Sequence, residues 1–355
     1  MKRKHILVIR FSALGDVAMV VPVVHALAMQ YPDLRITVLS RPFARPLFED
    51  LAPNINFMEA DIKGEYHGVR GLNTLYRRLV AKQFTHVADL HGVLRSGYLR
   101  LRFNIGRFRV EHIDKHRRLR KKLVKSSKKK SRKPMPTSFQ NYLDVFSRLG
   151  FPITQPTFTS IFPSEGGNIN LLPAAIGPKR SWEQWIGIAP FAAHQGKVYP
   201  EEKMEEVISQ LEKSYPKARI FLFGRGQHEE EVFPRWADRH RQCVNVGEHL
   251  EAMHQELILM SHLDVMLTMD SANMHLASLT ATPVVSVWGA THPDAGFLGW
   301  RQNAANAIGL DMNCRPCSIY GQKPCKRGDY ACLNNITPEM IIERIDRILT
   351  PKKQD

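Results

Sequence analysis

Short apolar runs alternate along the chain with longer stretches whose apolar positions recur every three to four residues, and the alternation occurs twice. Residues 5–10 (HILVIR), 35–39, 55–58 and 85–90 have the length and apolar content of strands in a parallel sheet. Residues 17–30 and 71–84 read as helices between them, and 136–150 reads as a further helix ending at Gly150. Residues 151–180 are rich in Pro and Gly without periodicity, the mark of an interdomain linker. A second set follows, with strands at 185–189, 218–223, 243–246, 265–268 and 284–287. Its helices fall at 201–214, 228–240, 250–261, 271–279 and 337–349, the last capped by Thr337 with Pro338 at its first position. The pattern predicts α/β domains built on parallel sheets, with ligands at the carboxyl ends of the strands.

Composition narrows the class. The 355 residues are 43% hydrophobic and 24% charged, enough apolar surface for two cores, which excludes a wholly disordered chain. Five Cys are too few for a disulfide scaffold. No apolar run approaches the roughly 18 residues of a membrane-spanning helix. The apolar run after Lys2, Arg3 and Lys4 stops at Arg10, too short for a secretory leader, so the expected compartment is the cytoplasm with reduced thiols. The net charge of +16 favours anionic partners: nucleic acid, phosphorylated substrates or an anionic membrane surface. Much of it lies in 115–133, where Leu119, Leu123 and Val124 are the apolar residues. That segment reads either as a solvated insertion or, in its earlier part, as a basic helix with one weakly apolar face.

Four segments carry candidate chemistry. Gly15 and Asp16 follow the first strand, where Asp16 is either an ordinary helix cap or a functional carboxylate. Neither G-x-G-x-x-G nor G-x-x-x-x-G-K-[ST] is present there. The loop of small residues after the fifth predicted strand ends at Lys197, which is either a solvated lysine or a point charge for phosphate. Asp270 ends a strand and Ser271 opens a helix, so the amides of Ser271 and Ala272 suit an anion, and His275 lies one turn on. The competing reading is an Asp cap with a buried core histidine. Cys314, Cys317, Cys325 and Cys332 form a tight cluster in which one Cys-x-x-Cys pair has zinc-ligand spacing; reduced thiols or a disulfide compete with a structural zinc.

Gly15-Asp16, Lys197, the segment Asp270-Ser271-Ala272-Asn273-Met274-His275 and the cysteine tail together resemble glycosyltransferase family 9, the ADP-heptose:lipopolysaccharide heptosyltransferases and their relatives. The resemblance runs from His5 to about Leu349. It implies a GT-B architecture, two Rossmann-like domains facing across a cleft: an N-terminal acceptor domain (1–165, with the basic insertion 115–133) and a C-terminal nucleotide-sugar domain (166–355). It implies an inverting transfer, from ADP-heptose to a lipopolysaccharide core acceptor, with no required cofactor and no catalytic metal. Position by position, Asp16 matches the general base and Lys197 the lysine at the donor diphosphate. Asp270, Ser271, Ala272 and His275 match the donor-binding turn, where the family usually has Thr and Gly in place of Ser271 and Ala272. The acidic ribose contact falls near 224–229, with Gln227 or Glu229 as candidates. His91, Arg95, Arg117, Arg118, Arg120 and Lys121 are the expected contacts to an anionic glycolipid acceptor. The same basic stretch implies peripheral binding to the anionic inner leaflet of the inner membrane.

Three rival readings compete with this one, and the presence of Asp16, Lys197, Asp270 and His275 speaks against the first, a family member that has lost activity and only binds glycan. A nucleic-acid-binding module would use the basic run, but the run lacks interleaved aromatics, so no nucleic-acid partner is expected. Another GT-B transferase would keep the architecture and change the nucleotide sugar.

Overall fold

The computed structural model describes residues 4–125 and 133–350. Contacts divide the chain into two compact units. One takes the chain up to His116 together with Pro136–Ile161; the other takes Arg117–Met135 and everything from Phe162 onward.

The first unit opens with β1 (His5–Ile9), α1 (Leu14–Ala18), α2 (Val21–Gln30), β2 (Arg35–Ser40) and β3 (Ile55–Glu59). It continues with α3 (Gly68–Val80), β4 (His86–Asp89), α4 (Leu94–Ile105) and β5 (Arg109–His112). The next helix, α5 (Arg117–Lys125), groups with the second unit, and α6 (Ser138–Arg148) returns to the first. The sheet is parallel throughout, in the order β3-β2-β1-β4-β5. All five residues of β1 are buried, as a central strand covered on both faces requires. Leu72, Leu75 and Leu79 line one face of α3 and are buried, while Arg77 and Arg78 in its last turn stay outside. Each such leucine contributes roughly 2 kcal/mol by leaving water. The strand order reverses direction between β1 and β4, so their carboxyl ends flank the switch point where α/β sheets bind ligands.

The second unit holds β6 (Trp185–Ala189), α7 (Glu201–Ser214), β7 (Arg219–Leu222), α8 (Gln227–Arg239), β8 (Cys243–Asn245) and α9 (Val246–His249). Then come α10 (Met253–Ser261), β9 (Val265–Met269), α11 (Ala272–Leu279), β10 (Val284–Val287), β11 (Ala307–Ile308), α12 (Ala331–Asn334) and α13 (Pro338–Leu349). Its parallel sheet runs β11-β10-β9-β6-β7-β8, which places a switch point between β6 and β9. The core joins Ile186, Ile188, Val265 and Leu267 to Val207, Leu211, Ile341 and Ile345.

The structure departs from the sequence expectations in several places. The helix expected at 17–30 is two helices, the second beginning at Val21 with Pro22 in its first turn, where proline's missing N–H is not needed. Both α4 and β5 were not expected, because arginines interrupt their apolar patterns. Ser271 is the cap before α11 rather than its first residue. The basic segment, expected within the N-terminal domain, is grouped from Arg117 to Met135 with the second unit. Within that unit Arg120 lies over the rings of Phe297 and Tyr320, 5.7 and 5.4 Å from their centroids, and donates to the Tyr320 hydroxyl. Leu123 is the buried residue of that helix. Part of the basic run, 126–132, lies outside the described residues. Among the described residues no helix is long and apolar enough to cross a membrane.

Candidate active site

Polar side chains gather at both switch points. In the first unit, Arg10 follows β1 and is buried, with 7% of its side chain exposed. Its Nη1 donates to the Leu90 carbonyl beyond β4 at 2.6 Å, and its Nη2 pairs with Asp16 Oδ2. Asp16 lies in the first turn of α1, and the Ala13 amide approaches the same oxygen at 3.4 Å. Both contacts engage Oδ2. The carboxylate side chain is 28% exposed. The cap role is thus secondary, a 3.4 Å contact beside an ion pair.

His91 is 7% exposed and sits in the same cluster, its Nε2 3.4 Å from Ser12 Oγ and its ring edge-on to Phe11. Burial first, then the charges of Arg10 and Lys115, push its pKa down to about 3, so the ring is neutral at ordinary pH. The turn around His91 is fixed from below: the buried Asp89 Oδ1 accepts from the His91 and Gly92 amides at 2.9 Å each, and Arg100 pairs with its Oδ2 at 3.4 Å. Arg95 is exposed on α4.

In the second unit, Lys197 closes a short turn after β6 and Asp270 follows β9. The Lys197 ammonium lies 2.8 Å from Asp270 Oδ2, with the side chains 14% and 4% exposed. The Ser271 hydroxyl meets that of Thr268 at 3.1 Å and makes no capping bond, leaving the first amides of α11 to another acceptor. Ala272 takes ordinary helical backbone as the first residue of α11, a position that does not require glycine. His275 is buried one turn on.

The Lys197 stem is held by close backbone packing. A Cβ at Gly321 would stand 2.7 Å from Lys197 Cγ, and one at Gly196 would stand 2.8 Å from the Gly321 carbonyl oxygen. Arg315 fastens the same region, donating to the carbonyls of Trp288 at 2.7 Å and Thr291 at 3.0 Å beyond β10.

A pocket of about 280 Å³ opens beyond β7 and β8, lined by Gly224, Arg225, Glu229, Phe233 and Asn245 among others. Glu229 folds back over the glycines: a Cβ at Gly226 would stand 2.7 Å from its Oε2. Gln227 opens α8 but does not line this pocket. The four tail cysteines are free thiols lining a separate pocket with Val124 and Lys125. Among the described residues no three His, Cys, Asp or Glu side chains are grouped to hold a metal ion.

The structure therefore brings Asp16 and His91 into one cluster and Lys197, Asp270 and Ser271 into another. It separates the expected acceptor contacts: His91 and Arg95 belong to the first unit, Arg117, Arg118, Arg120 and Lys121 to the second. Arg10 and Gly321 were missed. A charge ending an otherwise apolar strand was a usable signal for Arg10; nothing local marked Gly321.

The sequence model of glycosyltransferase family 9 (heptosyltransferase) matches residues 72–327. Lipooligosaccharide heptosyltransferase 2 of Haemophilus influenzae is 23% identical over 367 aligned positions, 97% of this chain and 99% of that protein. Its namesake in Campylobacter jejuni is 25% identical over 138 residues, 37% of this chain, and the match spans 42% of that relative's length. The structure of E. coli ADP-heptose lps heptosyltransferase II superposes with a TM-score of 0.67 at 21% identity, covering 97% of this chain and 98% of the other. E. coli heptosyltransferase WaaC, solved with ADP-2-deoxy-2-fluoro heptose, gives 0.64 at 15% identity over 97% and 99%. These likenesses show a shared fold, the GT-B arrangement of two parallel-sheet α/β domains.

Proposed function

This chain belongs to glycosyltransferase family 9, and from that premise we propose that it transfers heptose from ADP-heptose to a lipopolysaccharide core acceptor. The observation that carries the reading is the Lys197–Asp270 pair beside the first turn of α11, at the switch point of the second sheet. A lysine, unsatisfied helix amides and a buried carboxylate suit the two ends of a nucleotide sugar: a diphosphate and a polyhydroxylated ring.

In this reading Lys197, the α11 amides and His275 hold the diphosphate, and Asp270 accepts from sugar hydroxyls. The pocket beyond β7 takes the nucleoside, with Glu229, in preference to Gln227, as the carboxylate for the ribose. Asp16 is the base. Its Oδ1 takes the proton from an acceptor hydroxyl as that oxygen attacks the anomeric carbon. The bond from that carbon to the ADP oxygen breaks, and ADP leaves with its electron pair and added charge, which Lys197 and the helix amides stabilise. A single displacement inverts the anomeric configuration. Arg10 orients the base by holding Oδ2. No cofactor enters these steps. The acceptor is an anionic glycolipid, for which Arg95 in the first unit and Arg117, Arg118, Arg120 and Lys121 on α5 are the candidate contacts, and the enzyme works in the cytoplasm against the anionic inner leaflet of the inner membrane.

The donor is tested by thermal unfolding against ADP, UDP, GDP and CMP and their sugars. ADP-heptose at about 100 times its Kd should add about 2.7 kcal/mol of stability, and Lys197→Ala should remove most of it. Selective stabilisation by UDP or GDP compounds would reassign the donor.

A further inference from the structure

The face of the first unit that carries α4 has two features unused above. Leu94, Leu101 and Ile105 are 95%, 56% and 71% exposed. With the half-buried Tyr98 they recur at steps of four, three and four, one stripe of the helix roughly 16 Å long at 1.5 Å per residue. Aligned aliphatic side chains differ from the scattered single apolar residues of an ordinary surface.

The second feature is charge. Between Glu65 and Glu111 the sequence has nine Lys and Arg and a single acid, Asp89, whose side chain is fully buried. Arg95 on α4, Arg107 just beyond it and Arg109 on β5 are exposed, as are Arg70 and Arg77 on α3, which packs against α4. The stripe starts next to the turn that places His91 in the Asp16 cluster.

We propose that α4 is a docking face for an anionic phospholipid surface. Leu94, Leu101 and Ile105 enter the boundary between headgroups and acyl chains, and the surrounding arginines pair with lipid phosphates. The inference rests on the reading of the acceptor as a lipid-anchored glycan: docking along α4 delivers such an acceptor to the carboxyl ends of β1 and β4. Aliphatic rather than aromatic side chains argue against a single-stranded nucleic acid, which needs stacking surfaces. Within residues 66–110 the exposed arginines are accompanied in sequence by no exposed acid, which favours a lipid surface over a protein interface, whose core is depleted in charge.

The test is co-sedimentation of the full chain with phosphatidylcholine vesicles, with and without about 30% phosphatidylglycerol. Wild type should bind the anionic vesicles and bind neutral ones far less. Leu101→Ser/Ile105→Ser should lower the anionic partition several-fold, and Leu101→Glu/Ile105→Glu at least about tenfold, with unchanged thermal unfolding because both side chains are exposed. Wild-type failure to bind anionic vesicles overturns the proposal. So does vesicle binding indifferent to both double variants, or displaced entirely by RNA. Sedimentation needs no turnover. Transfer to a deacylated, water-soluble acceptor, measured alongside, should be equal in wild type and the variants; its absence in all of them would defeat the functional reading and leave the docking result standing.

Discussion

Lys197 and Asp270, 73 positions apart in sequence, meet at 2.8 Å where the second sheet reverses its strand order. One stands on the loop after β6 and the other after β9, the adjacent strand, so the sheet itself sets their separation. With 14% and 4% of their side chains exposed, each is the other's compensation for leaving water.

Removing one partner should therefore cost more than removing both. Lys197→Ala is expected to destabilise by about 3 kcal/mol, because a buried carboxylate is left alone. Lys197→Ala/Asp270→Ala should recover about 1 kcal/mol or more of that loss. Urea unfolding of the four proteins in the cycle reads the coupling directly. Additive single effects would show that the pair is not the buried unit described.

Gly321 tests the backbone packing behind that lysine. Its φ is +78°, unfavourable for other residues, and a Cβ would press on the lysine stem. Gly321→Ala should cost about 1 kcal/mol or more and weaken donor binding several-fold while the fold persists. Calorimetric donor binding unchanged from wild type would mean that the stem does not depend on this contact.

His91 makes stability depend on pH. Its folded pKa of about 3 lies below the ordinary value of 6.5. Between those values the unfolded chain binds the proton and the folded chain does not. The contribution is full above about pH 6.5 and is lost as pH falls through that window, reaching about 2 kcal/mol of loss at pH 5. His91→Gln should flatten the decline in unfolding free energy between pH 7.5 and 5. An unaltered decline would assign the acid sensitivity to other groups.

The thiols should differ in reactivity. Burial alone would raise Cys325, but backbone N–H groups of Tyr330, Arg327 and Gly328 bring it below the ordinary thiol value. Burial raises Cys332 to about 11, and burial with the charge of Glu212 raises Cys243 further. Maleimide labelling followed by peptide mapping near pH 7.5 should therefore modify Cys325 well before Cys332 or Cys243. Equal rates at the three would contradict the N–H contacts to Cys325.

Strand–helix alternation was enough to read two parallel-sheet α/β units, because runs such as HILVIR are buried on both faces and leave a continuous apolar signal. Helix α4 was invisible for the converse reason: its outward stripe carries leucine and isoleucine while arginines interleave, so no clean period survives. The break between α1 and α2 hides in a run that is apolar on every side. In α5, Arg120 meets Phe297 and Tyr320, partners almost 200 residues away. For the candidate site, Asp16, Lys197 and Asp270 stood out because they end or follow strands. Arg10 and Gly321 act through contacts that appear only once the chain is folded.

The most direct test of the account is transfer from ADP-heptose to a deacylated lipopolysaccharide core acceptor by wild type and Asp16→Asn, with donor affinity measured on the same samples. The account predicts transfer by wild type, and in the variant an unchanged donor Kd with turnover lower by about 10²-fold or more. Transfer by Asp16→Asn at the wild-type rate, or no transfer by wild type with donor bound, would contradict it.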